Sequence, residues 1–586
     1  MLGVSLFQSH AQWRIERISA RYRSSFPQAP PKPPIHARTC YCLPLIFESV
    51  QMFRRNTVPP VSRFSFRPAP SSSWPLHWIM GLGLLMLSLT IATHEALAFG
   101  FQDAVIQAKQ LASQSYSPDP QIPEALSQID QNTFERIAIK PSASLWQTAR
   151  FGIDPISAGY IYDQPVDLYE VTPDSVAPIV FDKTKFDWPS QAFAQTVPAN
   201  LGFAGFSVHY PLSGQDARDV MLTFLGGAQF SVVAANQVPG AHARGVAIDT
   251  GLPQGEQFPR FTKFWLVRPN PSDLQLTIYA LLDGKSLTGA YEFVIRPNGS
   301  RVDVHVTASL FPRTGISRLG LAPLSTMYFY GQTGQRPAGQ WRPAAYESDG
   351  LLMHTGEGDW VFRSLQNPAT LRVSEFAADG IRGFGFMQRQ TRFCQFEDAI
   401  SRFERRPSLW VTTEAGFGKG KIVLVQIPTN SDLHENQIAF FQPAEVVDSA
   451  HPVSFAYTLT AGNSDVAQEP LAQVRRPLIG TVKLAADDKT EKAYRVNLDF
   501  SGGRLSTLAD NEPVIANIET KGTATVQEQA VIPLPEAGHW RLSMLLVPTG
   551  KSVVTIDASL ALKKKVISET WRYDLPSDLT RFGQMK

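Results

Sequence analysis

The chain of 586 residues has only three cysteines, Cys40, Cys42 and Cys394, too few for a disulfide framework. Charged residues make up 18% of it, and its net charge is only +2, so nothing in the balance calls for a polyanionic partner and nucleic acid is excluded. The longest apolar run, residues 78–92, spans fifteen positions, short of the ~20 needed to cross a bilayer. No HExxH and no G-x-S-x-G is present, which removes the common zinc-protease and serine-hydrolase patterns. Gly284-Lys285-Ser286 and Gly550-Lys551-Ser552 lack the phosphate-loop glycine five positions earlier, where Tyr279 and Leu545 stand. His242, His305, His354 and His434 are isolated with no metal-ligand spacing, so neither metal nor cofactor is expected.

What is abundant is turn chemistry. Forty glycines and 44 prolines suit short strands joined by turns better than long helices. The charge is also unevenly placed. Ten of the 54 basic and three of the 52 acidic residues precede residue 99, leaving 44 and 49, a net of −5, for the remainder. Arginines 54, 55, 63 and 67, the run at 78–92 and then Ala96-Leu97-Ala98 follow the order of a cleaved export signal. The working protein is expected to begin near Phe99, with residues 1–98 as upstream extension and signal peptide. In the exported part only Cys394 remains, as a small hydrophobe without a chemical role.

Residues 99–131 carry a helical stripe of Phe101, Val105, Ala108 and Ala112, and PEALSQID reads as a second short helix. Strand patterns begin near residue 145. In RVDVHVTASLF (301–311), Val302, Val304, Val306, Ala308 and Leu310 point one way, the mark of a half-buried antiparallel strand. There is no strand–helix alternation, so the fold class is all-β. QPAEVVDSAHP (442–452) reads as a linker, which divides the chain into 99–445 and 450–586. The seven or so short strands after it predict an immunoglobulin-like β-sandwich.

Aromatic residues are plentiful: Phe258, Phe261, Phe264 and Trp265, then Tyr328, Phe329 and Tyr330, then Trp360 and Trp410. Aromatic faces with carboxylates between them suit sugar rings, although most aromatics in a large sandwich belong to its core. Residue chemistry alone thus points to an exported β-protein compatible with carbohydrate.

Longer motifs narrow this. LGFAGF (201–206), ARGVAIDTGLPQGEQFPRFTKFWLVRP (243–269), LTIYALLDGKSLTGAYEF (276–293), LGLAPLSTM (319–327), GEGDWVFRSLQNP (356–368), GFGFMQR (383–389), RRPSLWV (405–411) and ISETWRYDLP (567–576) stand in one continuous order. The sequence closely resembles the periplasmic glucans biosynthesis proteins G and D from about Phe99 to its C-terminal SETW. The resemblance implies a large N-terminal β-sandwich of galactose-mutarotase-like type followed by an immunoglobulin-like domain. It also implies a periplasmic role in osmoregulated periplasmic glucan biosynthesis, with a β-1,2-linked glucan as partner and hydrolysis of that glucan with inversion. A membrane glucosyltransferase and a homodimer are further expected partners.

Two aspartates carry the hydrolysis in that family. Here both positions hold glutamate: Glu347 in Tyr346-Glu347-Ser348-Asp349, and Glu435 in IPTNSDLHENQ. Inverting hydrolysis needs an acid and a base ~6.5–9.5 Å apart. Glu435 is assigned as acid and Glu347 as base, with Asp349 beside them. As the acid, Glu435 should have its pKa raised by burial or a like charge. Phe403 stands where the family carries Tyr, and with Trp360, Trp410 and Asp349 it is a candidate substrate contact. Arg244 and Asp249 read as scaffold or cleft wall. The alternative function is a non-catalytic glucan-binding factor acting beside the glucosyltransferase.

Overall fold

The computed structural model describes residues 99–118, 121–486, 489–550 and 552–575. The expected signal segment, 78–92 with Ala96-Leu97-Ala98, lies outside the described residues. The fold is all-β. Among the described residues no helix is long and apolar enough to cross a membrane. The helical stripe extends over Phe101–Ala112 only, with Ala104 and Ala108 fully buried. Ser113 caps its end, and the serine- and proline-rich stretch beyond cannot extend the ladder. PEALSQID yields one helical turn, Glu124–Ser127.

Three sheets organise the chain. The first runs in the order Gly152–Ser157, Phe203–Tyr210, Asp219–Leu225, Gln229–Val232, His242–Arg244, Leu319–Thr326, Gln437–Pro443, Gly420–Gln426, Arg372–Ala377. The second, of fifteen strands, carries Arg260–Val267, Leu276–Asp283, Leu287–Asn298, Arg301–Pro312 and Val453–Gly462 in one half. Its other half is Ser408–Thr413, Gly383–Met387, Gly350–His354, Trp360–Ser364, Thr570–Leu575, Val554–Leu562 and Val514–Lys521. The third has four strands, Gln473–Ala486, Lys489–Ser501, His539–Pro548 and Ala524–Pro533. The expected alternation in Arg301–Pro312 is present: its five apolar residues from Val302 to Leu310 are all at 0% exposure. Gly299, at φ +61°, starts the two-residue hairpin loop that joins this strand to Leu287–Asn298, a conformation glycine adopts without cost.

Two hydrophobic cores share the second sheet. Phe206, Phe224 and Phe230 of the first sheet meet Phe264 and Phe293 of the second in edge-on and tilted contacts 5.0–5.3 Å apart, which fills the first core. The second core joins the other end of the second sheet to Tyr494, Val496, Leu498, Trp540 and Leu542 of the third. Neighbouring residues alternate between the two cores. Leu409 and Val411 face the first and Trp410 the second; Leu351 and Met353 face the first and Leu352 the second.

This corrects the expected boundary at 445–450. Val453–Gly462 is paired on both sides, with Arg301–Pro312 and Ser408–Thr413, and its Phe455, Tyr457, Leu459 and Ala461 fill the first core. The 442–452 segment has linker composition but is a crossover pinned by Val447, whose carbonyl accepts from the Ile316 N–H at 3.0 Å. The passage to the second core comes after Gly462, at Val466.

A buried ionic cluster stands where the second core begins. Arg389 donates to both oxygens of Glu569, at 2.5 and 2.8 Å, with its guanidinium 3.7 Å from the Phe362 ring centre. Burial and the neighbouring Glu569 raise the Glu469 carboxyl. Burial likewise raises Asp349 from 3.8 to about 7, against the opposing pull of Arg389. A carboxyl raised on folding holds a proton that the unfolded chain releases. Its contribution is therefore favourable only below about pH 4, and it erodes stability as pH climbs to about 7. Asp349→Asn is expected to raise the melting temperature at pH 8 relative to the parent, by the equivalent of on the order of 2–4 kcal/mol, with no gain at pH 4. Thermal melts of both proteins across this range check it; equal pH slopes would refute it.

Candidate active site

Both expected carboxyl positions hang from one short stretch, Ser325 to Tyr328. The Glu347 N–H donates to the Met327 carbonyl at 2.9 Å, and the next residue, Ser348, bonds Thr326 through their hydroxyls at 3.0 Å. From the other side, the Asn436 N–H donates to the Thr326 carbonyl at 3.1 Å. The Asn436 side chain accepts from the Tyr328 N–H at 2.8 Å and donates to the Tyr328 and Ile427 carbonyls. Residues far apart in sequence are thereby fixed at adjacent points of one backbone.

Glu435 lies on the outer face of the first sheet. Its Oε1 is 2.5 Å from Nδ1 of His242, and its Oε2 accepts from the Ser325 hydroxyl at 2.7 Å and from the Gln229 amide at 3.4 Å. Sheet register explains the grouping: His242 is the cross-strand partner of Ser325, and Gln229 of Arg244. Glu435 and His242 are only 4% and 3% exposed. Burial alone would raise the Glu435 pKa. The charge and hydrogen bond of His242, the charge of Arg244 and the Ser325 hydroxyl outweigh it, and the group sits below the ordinary glutamate range. The expected raised pKa is thus reversed: His242, Arg244 and Ser325 together win over desolvation, and the Glu435 carboxyl is held below its ordinary range. Both ring nitrogens of His242 are buried without a hydrogen bond of ordinary geometry among the described residues; Nδ1 is held by the short ion-pair contact to Glu435, and Nε2 has no such contact.

Glu347 is 2% exposed, with Oε1 3.5 Å from Arg406 Nη1. Arg406 is itself buried, and burial lowers its pKa to about 9 against the pull of Asp432, so it stays charged at neutral pH. Phe403 is at the site. Its ring centre is 5.6 and 5.9 Å from the guanidinium groups of Arg406 and Arg342, and the ring contacts Phe396, which packs edge-on to Tyr346. Arg342 ties this segment to the Glu435 loop by donating to Asp398 at 3.0 Å and Asp432 at 2.6 Å.

Other candidates fall elsewhere. Trp360 and Trp410 stack on each other at 5.7 Å inside the second core, so they are packing residues and not sugar platforms. Asp349 is partly exposed as a residue, but its Oδ1 is enclosed, and its charge environment is set by Arg389 and Glu569. Asp249, at φ +58°, accepts from the Arg318 N–H at 3.0 Å and from the Gln257 amide at 3.3 Å, a scaffold position. Arg244 pairs with Glu256 at 2.9 Å. His242, Ser325, Gln229 and Arg406 are site residues that sequence reading missed. Only their strand register and loop closure could have marked them. Among the described residues no group of three or more His, Cys, Asp or Glu could hold a metal ion.

Residues 99–575 match the family model described as periplasmic glucan biosynthesis protein, MdoG. The chain belongs to this family. Two relatives named "Glucans biosynthesis protein G", from Pseudomonas paraeruginosa (strain DSM 24068 / PA7) and Pseudomonas aeruginosa (strain LESB58), are each 38% identical over 495 residues. These alignments cover 82% of this chain and 93% of each relative. Among solved structures, the GH36 α-galactosidase AgaB from Geobacillus stearothermophilus aligns over 56% of this chain and 41% of that chain, at 9% identity and a TM-score of 0.22. That overlap is too slight to carry over fold or chemistry. Membership of the MdoG family agrees with a periplasmic location and a part in glucan biosynthesis.

Proposed function

We propose that this periplasmic glucan biosynthesis protein hydrolyses β-1,2-linked glucan with inversion, using the Glu435–His242 pair on one side of the bond and Glu347 on the other. The 2.5 Å contact between Glu435 and His242 carries the reading. A lone ionised glutamate cannot protonate a leaving oxygen. An ionised glutamate that holds an imidazole by one nitrogen can, because the proton resides on the pair and is delivered through the other nitrogen, as in carboxylate–histidine pairs of other hydrolases. Glu347, on the far side of the Ser325–Tyr328 stretch, activates the water that attacks the anomeric carbon. Arg406 Nη1 stands 3.5 Å from that carboxylate and can orient it toward the water.

The full exported protein incubated with linear β-1,2-glucan should generate new reducing ends, and the first-formed product should have the α configuration. Retention of configuration would refute the assignment of Glu347 as base. The near-complete burial of both carboxyls favours a second reading, a non-catalytic factor that binds glucan beside a membrane glucosyltransferase. Tight glucan binding without new reducing ends would select it.

A further inference from the structure

A cavity of about 310 Å³ opens beside Glu435 on the same outer sheet face, lined in part by Tyr162, Gln229, Arg244, Val246, Glu256 and Phe258. Gln229 connects the two places, since it lines the cavity and its amide also reaches Glu435 Oε2 at 3.4 Å. Phe258 is 53% exposed, next to the buried Pro259 and beside Tyr162, Arg244 and Val246, which are buried and line the same cavity. Its neighbours are polar groups held in place: Arg244 and Glu256 form a pair at 2.9 Å with side chains each 5% exposed. Gly227, at φ +55°, lines the cavity where an added Cβ would meet only open space. The larger cavity, about 670 Å³ beside Phe101–Ala112, touches none of these residues.

We infer that this cavity is a glucosyl-binding subsite continuous with Glu435, in which Phe258 receives the apolar face of a pyranose ring and Gln229, Arg244 and Glu256 receive its hydroxyls. The volume is at the lower end for ligand sites and accommodates roughly one or two sugar rings. A half-exposed ring among fixed amide, guanidinium and carboxylate groups offers both parts of sugar recognition, an apolar platform and directional polar partners. Gln229 couples the two sites: a sugar hydroxyl that engages its amide acts on the same side chain that donates to Glu435. The subsite rests on the proposed glucan hydrolysis.

The test measures binding without turnover. Full-length exported protein carrying Glu347→Gln is titrated with linear β-1,2-glucan oligosaccharides of increasing length by calorimetry. Adding Phe258→Ala should weaken binding by about three- to tenfold, and only for oligosaccharides long enough to reach the cavity. Phe258→Trp should restore it, and an unchanged melting temperature shows that the fold is kept. Equal affinity of the Ala variant at every length, or an equal loss at every length including the shortest, overturns the subsite while leaving the hydrolase reading intact. If the Glu347→Gln parent binds no β-1,2-glucan of any length, both fall together.

Discussion

Glu435→Gln is expected to lower the rate of β-1,2-glucan cleavage by ~10²–10⁴-fold, the range for loss of one general acid–base group, while glucan still binds. The amide keeps the shape and the Ser325 contact but removes the negative charge that holds His242. Glu347→Gln should lose activity on the same scale by leaving the attacking water without a base. Release of reducing ends, measured beside calorimetric binding, separates lost chemistry from lost affinity. Full activity in either variant would defeat the mechanism. The geometry also bears on side-chain length. Although Glu435→Asp restores the family's residue, it withdraws the carboxylate by about one bond from an imidazole now 2.5 Å away. The shorter acid is therefore expected to be impaired unless His242 is changed with it.

His242→Asn is the second large effect, expected at about a hundredfold in kcat. Its signature lies in the pH profile. His242 is the strongest influence holding Glu435 below its ordinary range, so without it burial prevails and the Glu435 pKa rises. With no imidazole left to hold the working proton, the raised Glu435 has to carry it itself, so residual activity should fall as pH rises through its pKa and the basic limb of the kcat/KM profile should lie lower than in the parent. The same shift has a stability consequence with a definite sign. A carboxyl depressed on folding stabilises the protein above its unfolded pKa, and that contribution fades as pH falls. His242→Asn should therefore cost stability at neutral pH and little below about pH 4. A drop in rate with an unmoved basic limb would show that His242 merely packs against the site.

Sequence patterning located the all-β class because half-buried strands such as Arg301–Pro312 write burial directly as period two. It was silent for Phe203–Tyr210, where all eight residues are buried and no alternation survives. It placed the boundary too early because composition describes a segment's own chemistry and not its pairing partner: Val453–Gly462 binds a strand about 150 residues before it. Glu347 and Glu435 were legible because they sit in extended motifs. His242 was not, since the partner that gives it meaning is 193 positions further on. Trp360 and Trp410 misled because a tryptophan on a sugar-binding wall and one in a core look alike in sequence. What separates them is the face of the strand, and this sheet is covered on both.

The doubly covered sheet also governs the order of assembly. The first core lacks a central strand until Val453–Gly462 has been delivered, and that strand lies more than 350 residues after Phe99. A chain threaded from its N-terminus thus holds most of its first core in an incomplete state until the last quarter arrives. Such long-range closure slows folding and lengthens the time that unpaired strand edges stay exposed. A fragment ending at residue 445 would lack this strand and leave Trp360, Trp410, Leu352 and Met387 without their covering layer. It should collect as aggregate, whereas the intact chain folds. The two cores are in this sense a single cooperative purchase on the native state, closed only when its C-terminal strands have docked.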